Sequence, residues 1–346
     1  MLDFAGKRWW YLSTAIILFV IAAVILAIPP RLRPGIEFTA GSTFTMEFQA
    51  VTLPDGTIKQ PDVSQEKLLN FMKDLGHEEV RVQGAGSENT YLIRTRELAG
   101  APPIGVAAGP LAPGEIDTID EALCAKFGVL SADGGCQGLV RKDFSTVSGT
   151  VSTEIARNAT FAVLAAAIAI LIYISIAFRR LPKAYRYGTA AVIAVLHDAF
   201  IVLGVFSLLG KWRGTEIDTA FITALLTVIG FSVHDTIVVF DRIREKLVHD
   251  AYIPFEEAVN ASLTETLSRS LNTSLVVVLT VVAMLLIGGP TIRSFLLVLL
   301  IGIVSGTYSS IAIAAQILVA WENNDIGKFW HRITGKSRTE PAPEPA

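Results

Sequence analysis

The chain has 346 residues, of which 51% are hydrophobic and only 18% are charged, and its formal net charge is −3. Soluble domains carry about 25% charged residues, so this composition, with a mean hydropathy of +0.51, indicates a membrane protein. It argues against a disordered chain and a soluble nucleic-acid binder with a basic face. Two cysteines are too few for a disulfide-rich scaffold or a cysteine-rich zinc module.

Six stretches are apolar over the roughly 20 residues that a helix needs to cross a hydrocarbon layer of about 30 Å. The first has a basic start, but its apolar core exceeds the roughly 7–15 residues of a signal peptide. Because Pro29-Pro30-Arg31 follows it instead of a small-residue cleavage site, we predict an uncleaved anchor. The predicted spans are residues 11–28, 159–178, 187–209, 219–240, 270–287 and 294–321.

The distribution of lysine and arginine sets the predicted orientation, because positively charged loops stay on the cytoplasmic side. One set of short loops, with the tail, carries 14 of these residues, whereas the opposite short loops carry three. We therefore expect a multi-pass protein of the cytoplasmic (inner) membrane with both termini in the cytoplasm. Residues 1–10 form the cytoplasmic N-terminus and residues 29–158 lie in the periplasm.

The periplasmic segment 29–158 has the pattern of a ferredoxin-like α+β domain, in which strand, helix, two strands, helix and strand follow each other. We predict strands at 43–48, 79–83, 90–94 and 143–147, helices at 63–75 and 116–127, and an irregular insertion at 98–114. Cys124 and Cys136 fall in this domain. They could form a structural disulfide in the oxidising periplasm or remain two buried thiols, and the sequence leaves both open.

The remaining spans form a five-helix bundle over residues 159–321. Within it, we expect the cytoplasmic loop 241–269 to form a pair of short helices on the membrane surface. We expect residues 322–346 to form a cytoplasmic tail that is disordered towards its end.

Charged residues inside the spans are the strongest functional signal, because each costs at least about 2.5–3.5 kcal/mol at a helix centre. Spans three and four each contain a His-Asp pair, His197-Asp198 and His234-Asp235. At about 1.5 Å per residue, Asp235 and Arg269 of span five lie within one helical turn of the same depth. We therefore predict an ion pair between them that breaks when Asp235 takes up a proton.

The alternative is that Asp235 and Arg269 only hold two spans together. For the two histidines, a polar lining or hydrogen bonding between helices is favoured over metal ligation, because a zinc site needs three or four convergent ligands. The candidate proton-coupling residues are Asp198, His234, Asp235 and Arg269.

Motifs for bound nucleotide or covalent catalysis are absent from the sequence: it has no Walker loop, dinucleotide fingerprint or Gly-x-Ser-x-Gly site. We therefore expect no catalytic residues, no cofactor and no metal, and a transport component instead of an enzyme. Gly302 and Gly306 form a Gly-x-x-x-Gly spacing that favours close helix packing.

Together these residues resemble the SecF proteins of the SecD/SecF family, within the resistance-nodulation-division superfamily. Two positions depart from the family pattern, which usually has Asp at Glu37 and Gly at Ala40. The stretches that carry the resemblance are Gly230–Glu245, Asn260–Ser274, Gly302–Ser310 and Gly35–Phe38 with Gly41.

The resemblance implies a role in Sec-dependent protein export, driven by the proton-motive force. It implies SecD, the SecYEG channel and the translocating preprotein as partners, besides membrane lipids, and no nucleic acid. Asp235 and Arg269 match family residues linked to proton flow, and Asp198 matches a less constant position. The alternatives are a proton-driven exporter of lipids or small amphiphiles from the same superfamily, and an assembly partner without transport of its own.

Overall fold

The computed structural model describes residues 3–29, 31–52, 57–85, 88–99, 114–130, 136–179, 181, 183–250, 252–289 and 292–325. These residues fall into two compact units, one formed by Met1–Arg33 with Ala162–Ala346 and the other by Pro34–Phe161. Most of the predicted insertion at 98–114 and most of the predicted tail at 322–346 lie outside the described residues.

The smaller unit is an α+β domain. After α1 (Arg8–Ala27), its elements are α2 (Ile36–Thr39), β1 (Gly41–Phe48), β2 (Val51–Thr52), β3 (Ile58–Lys59), α3 (Gln65–Asp74), β4 (Arg81–Gly84), β5 (Thr90–Thr95), α4 (Glu115–Phe127), β6 (Val129–Leu130), β7 (Cys136–Gln137) and β8 (Leu139–Val147). The main sheet is antiparallel, with the strand order β4-β5-β1-β8, and two further pairs, β2-β3 and β6-β7, form separate hairpins.

The core of this unit lies between the sheet and its two longer helices. Phe44 in the central strand β1 is fully buried and lies opposite Ile93 of β5 and Phe144 of β8. Leu68 of α3 and Leu123 of α4 are also fully buried in the same cluster. The four long strands and two helices follow the predicted order. The two short hairpins were not predicted, because two-residue strands are too short to show an alternating pattern.

A disulfide constrains the smaller unit. Cys124 and Cys136 are joined by a disulfide with a Cα–Cα distance of 5.9 Å, which fixes α4 to β7. This pairing decides between the two alternatives that the sequence left open.

Ala40 has φ 64° and ψ 162°, a backbone region that is essentially restricted to glycine. The family departure at Ala40 therefore places a side chain where the chain turns into β1.

The larger unit contains the membrane helices, and within the described residues six helices are long and apolar enough to cross a membrane, as predicted. The last span contains a π-helical turn, Ser310–Ala314, between two α-helical parts. After α1, the elements are α5 (Gly149–Ala177), α6 (Tyr185–Arg213), α7 (Thr219–His249), α8 (Phe255–Ile287), α9 (Arg293–Ser309) and α10 (Ala315–Glu322).

The prediction of two short surface helices in the loop 241–269 is wrong. Helix α7 continues to His249 and α8 begins at Phe255, so both are long helices that extend beyond the predicted fourth and fifth spans. No glycine or proline interrupts residues 241–249. Glu265 of α8 also holds the extensions together, accepting from Arg242 at 2.6 Å and from Lys246 at 2.5 Å.

Glycines bring α7 and α9 close together. A methyl group added at Gly302 would collide with the side chain of Val228, and one added at Gly306 would lie 3.0 Å from Cβ of Ser232. The Gly-x-x-x-Gly spacing therefore allows close packing of the two helices, as predicted from the sequence. It also positions the polar residues of α9 against α7.

A set of contacts, here called the N-terminal clasp, ties residues 3–8 to α8 and to the end of the last span. Oδ1 of Asn260 accepts hydrogen bonds from the N–H groups of residues 4 and 5, at 2.9 and 2.8 Å. Arg8 forms ion pairs with Glu256 at 3.0 Å and with Asp325 at 2.8 Å.

Candidate functional site

Asp198 on α6 is the centre of a buried polar cluster. Asp198 is only 1% exposed. Ser232 of α7 and Ser309 donate hydrogen bonds to Oδ2 at 2.7 and 2.6 Å, and Ser305 donates to Oδ1 at 2.6 Å. Ser305 and Ser309 are four residues apart, so they share one face of α9. Three spans therefore meet on one carboxylate.

His197 adds an ionisable neighbour to this cluster. Its Nδ1 lies 3.4 Å from Oδ1 of Asp198, and the residue is 6% exposed. Its Nε2 is buried and has no hydrogen-bond partner within the described part of the chain. The sequence predicted a polar lining or a hydrogen bond between helices for this histidine. The observed contact is with the next residue of its own helix, so it is not a hydrogen bond between helices.

Asp235 on α7 is the second buried carboxylate, with 8% of its surface exposed. Ser270 of α8 donates a hydrogen bond to Oδ1 at 2.5 Å. Ser310, the first residue of the π-helical turn, donates to Oδ2. Asp235 therefore joins α7 to the fifth and sixth spans through hydroxyl groups.

Ser309 and Ser310 connect the two carboxylates to one short segment, because each of these consecutive residues binds a different aspartate. Each hydroxyl also lies near a carbonyl of its own helix, Gly306 at 3.2 Å for Ser309 and Thr307 at 3.1 Å for Ser310. An ionised carboxylate only accepts hydrogen bonds, whereas a protonated one can also donate. Each serine can therefore turn towards its helix carbonyl when its carboxylate takes up a proton.

The predicted ion pair between Asp235 and Arg269 is absent from the described residues. The predicted depth is right, because Ser270, the next residue after Arg269, contacts Asp235. Consecutive residues on a helix point about 100° apart, however, so Arg269 points elsewhere and is exposed. His234 is also exposed, since it precedes the inward-facing Asp235.

Sequence reasoning named His197 only as part of a His-Asp pair, not as a candidate proton-coupling residue, and it missed the five serines at positions 232, 270, 305, 309 and 310. Serine carries no charge and is common in membrane helices, so it gave no signal by itself. The signal that could have found some of them is their spacing: Ser305 and Ser309 lie on one face, and Ser232 lies one turn before Asp235. Within the described ranges, no group of three His, Cys, Asp or Glu side chains could hold a metal ion.

The α+β unit contains a separate cavity of about 180 Å³ beside the disulfide. Asp120 on α4 lines it and forms an ion pair with Arg141 of β8 at 2.7 Å. Burial raises the pKa of Asp120 to about 6, against the opposing effect of Arg141. The ion pair involves Oδ2 of Asp120, whereas its Oδ1 is buried without a hydrogen-bond partner among the described residues.

Comparisons with known proteins agree with this architecture. Residues 135–324 match the family described as protein export membrane protein SecD/SecF, C-terminal. The chain is 40% identical to the protein translocase subunit SecF of Thermobaculum terrenum over 328 residues, which cover 94% of this chain and 96% of that protein. It is 34% identical to the protein translocase subunit SecDF of Bacillus subtilis, covering 94% of this chain and 39% of that one.

Among solved structures, the crystal structure of SecDF from Thermus thermophilus, described as a translocon-associated membrane protein, matches with a TM-score of 0.72 and 30% identity. The match covers 93% of this chain and 39% of the SecDF chain. The six spans, the intervening α+β unit and the near-full-length match to SecF sequences lead to one conclusion: this chain belongs to the SecD/SecF family of protein export membrane proteins and is a SecF protein.

Proposed function

We propose that this chain is the SecF subunit of the Sec protein-export machinery and that it uses the proton-motive force through Asp198 and Asp235. The observation that carries the proposal is the pair of buried carboxylates, each held by serine hydroxyls from neighbouring spans. Ionisable residues inside a bundle mark proton pathways in many pumps and transporters.

The mechanism follows from the two positions that each hydroxyl can take. When Asp235 takes up a proton from one side of the membrane, it stops being a pure acceptor, and Ser310 turns to the carbonyl of Thr307. The link from α7 to the π-helical turn weakens, and a second packing of the spans becomes favoured. Release of the proton on the other side restores the link. Each cycle thus converts proton movement into helix movement, which pulls or retains the exported chain.

SecD is the proposed partner. Relatives named SecDF contain a SecF-like part within a chain about two and a half times as long, and two six-span halves can pack around an axis along the membrane normal. His234 and Arg269 are exposed on this chain. An arginine facing lipid is unfavourable, so we propose that the SecD half covers Arg269 and His234 and that Arg269 acts on proton movement from that interface.

The proposal further places the protein in the cytoplasmic (inner) membrane with both termini in the cytoplasm, beside the SecYEG channel and a translocating preprotein. The relatives are named as translocase subunits, which supports a transport component over an enzyme. Their match over nearly the full chain favours protein export over an exporter of lipids or small amphiphiles.

The test is proton-driven preprotein translocation into proteoliposomes that contain SecYEG, SecD and this chain. Asp235→Asn keeps the shape of the side chain but cannot exchange a proton, and we expect it to abolish the stimulation by a proton gradient. The matched control is Asp241→Asn, because Asp241 is exposed at the cytoplasmic extension of the same helix and pairs only with Arg244 in its described contacts.

SecD association, measured by co-purification, should be the same in both variants. Retained stimulation in Asp235→Asn with intact association would refute the proton-coupling role and leave a non-transporting assembly partner.

A further inference from the structure

We propose that His197 is the proton-transfer group that loads and unloads Asp198, an inference that rests on the proposed proton-coupled function. Of the two intramembrane histidines, only His234 was a candidate proton-coupling residue from the sequence. The structure separates them, because His197 is buried against a carboxylate whereas His234 is exposed and makes no hydrogen bond or ion pair within the described ranges.

The first step of the argument is the chemistry of the groups around Asp198. Four side chains contact its carboxylate, and three of them are serine hydroxyls. Hydroxyls donate and accept hydrogen bonds but do not gain or lose protons near neutral pH, whereas imidazole does. Of the four contacts, only His197 can therefore deliver a proton to Asp198.

Other charged groups do not compete for this role. The elements that pack against α6 in the membrane unit include α1, α5, α7, α9, the π-helical turn and α10. Among the described residues of these elements, no titratable side chain lies within hydrogen-bonding or ion-pair distance of His197 or Asp198. Asp235 makes its contacts with Ser270 and Ser310 instead.

The second step is the state of the two ring nitrogens. Facing an ionised carboxylate, Nδ1 of His197 carries the hydrogen. Its Nε2 is buried without a partner in the described part of the chain, and a buried polar atom left unpaired is costly. A structural histidine would be expected to satisfy both nitrogens, whereas a proton carrier needs one nitrogen open to its proton source.

The transfer balances with water as the co-reactant. Nε2 accepts a proton from a hydronium ion or a protonated water chain, giving imidazolium. Nδ1 then gives its proton to Oδ1 of Asp198, which leaves a neutral ring with hydrogen on Nε2 and a protonated Asp198. The reverse sequence unloads the carboxyl group after the changed packing of the spans has exposed Nε2 to water on the other side of the membrane. The serines at positions 232, 305 and 309 then respond to the change at Asp198, so His197 sets when these links between helices open.

The test is His197→Asn in the full chain, reconstituted with SecD and SecYEG, with proton uptake and translocation measured separately. Asparagine can place an amide N–H near the position of Nδ1 and so keep the hydrogen bond to Asp198, but it cannot carry a proton. We expect proton-driven uptake to fall by at least about tenfold, since positioned acid–base groups contribute about 10²–10⁴-fold to rates. His249→Asn is the matched control, because His249 is exposed at the end of α7, and this variant should retain most of the uptake.

A second variant keeps the test decisive if asparagine impairs folding. His197→Gly removes the ring and leaves room for it, and added imidazole should restore part of the proton uptake in a concentration-dependent manner. Wild-type uptake in His197→Asn, or no rescue of a folded His197→Gly by imidazole, would overturn the inference. If Asp235→Asn also left proton-driven export intact, the proposed function itself would fail. Loss in Asp235→Asn with full activity in His197→Asn would reject only the role of His197.

Discussion

A pair of crossed double-mutant cycles tests whether Ser309 and Ser310 bind different aspartates. The perturbations are Ser310→Ala and Ser309→Ala, each combined with Asp235→Asn or Asp198→Asn. Hydrogen bonds between membrane helices average about 0.6 kcal/mol, whereas those to charged groups contribute about 1.5–3 kcal/mol. Because both serines are fully buried and donate to carboxylates, we expect coupling energies of about 1–2 kcal/mol for the pairs Ser310–Asp235 and Ser309–Asp198.

The crossed pairs are the control for this prediction. Ser310 with Asp198, and Ser309 with Asp235, share no hydrogen bond, so their effects on the free energy of unfolding should add to within about 0.5 kcal/mol. The assay is reversible unfolding of the full chain in lipid bicelles, followed by tryptophan fluorescence. Equal coupling in direct and crossed pairs would refute the assignment of one serine to each carboxylate, and additive direct pairs would refute the hydrogen bonds themselves.

Three further predictions concern the α+β unit. Ala40→Gly should stabilise the unit by about 1 kcal/mol, since the strain of alanine at this backbone geometry is about 1–3 kcal/mol and the added flexibility of unfolded glycine offsets about 0.4–1 kcal/mol. Asp120→Asn should raise stability at pH 7 and remove a loss of stability between pH 3.8 and about 6, because burial raises the pKa of Asp120 to about 6 in the folded protein. Replacing Cys124 and Cys136 together by serine should destabilise the unit by about 2–3 kcal/mol, the value for a short disulfide loop.

Hydrogen exchange of the β1 and α4 amides in the full chain measures all three effects. Ala50→Gly is the control for Ala40→Gly; Ala50 does not have a positive φ, so glycine there should reduce stability. The direction of the pH dependence follows from the raised pKa of Asp120. Between pH 3.8 and about 6, the folded state holds a proton that the unfolded chain has released, so the stability of the wild-type unit falls as the pH rises. Unchanged exchange in the serine double variant would contradict a stabilising disulfide.

The sequence predicted the membrane architecture well because hydropathy acts over whole spans. Six apolar stretches were sufficient to locate the helices, and the insertion cost of a charge singled out Asp198 and Asp235. The partners of these aspartates could not be predicted in the same way. The rise per residue gives the depth of Arg269 along the membrane normal, but the rotation of α8 about its own axis depends on packing against α7 and α9. A difference of one residue replaces an ion pair with the hydroxyl of Ser270.

The same limit explains the two histidines. His197 and His234 occupy equivalent places in similar octets, yet one is buried and the other exposed. The burial of each histidine depends on which helices pack against its own helix, and α6 and α7 pack against different helices. The disulfide was undetermined for another reason: a separation of 12 residues permits a bond, but only the fold of α4 against β7 brings the two cysteines within reach.

The N-terminal clasp has a consequence for the order of assembly during synthesis. Arg8 and Asp325 are 317 positions apart in the chain, so this ion pair cannot form until the last span has left the ribosome. Until then, the first span lacks its anchor to the end of the bundle, and the α+β unit has already been made and can fold. Completion of the membrane unit is therefore a late event, and a ribosome that stalls before residue 325 leaves the first span without that contact.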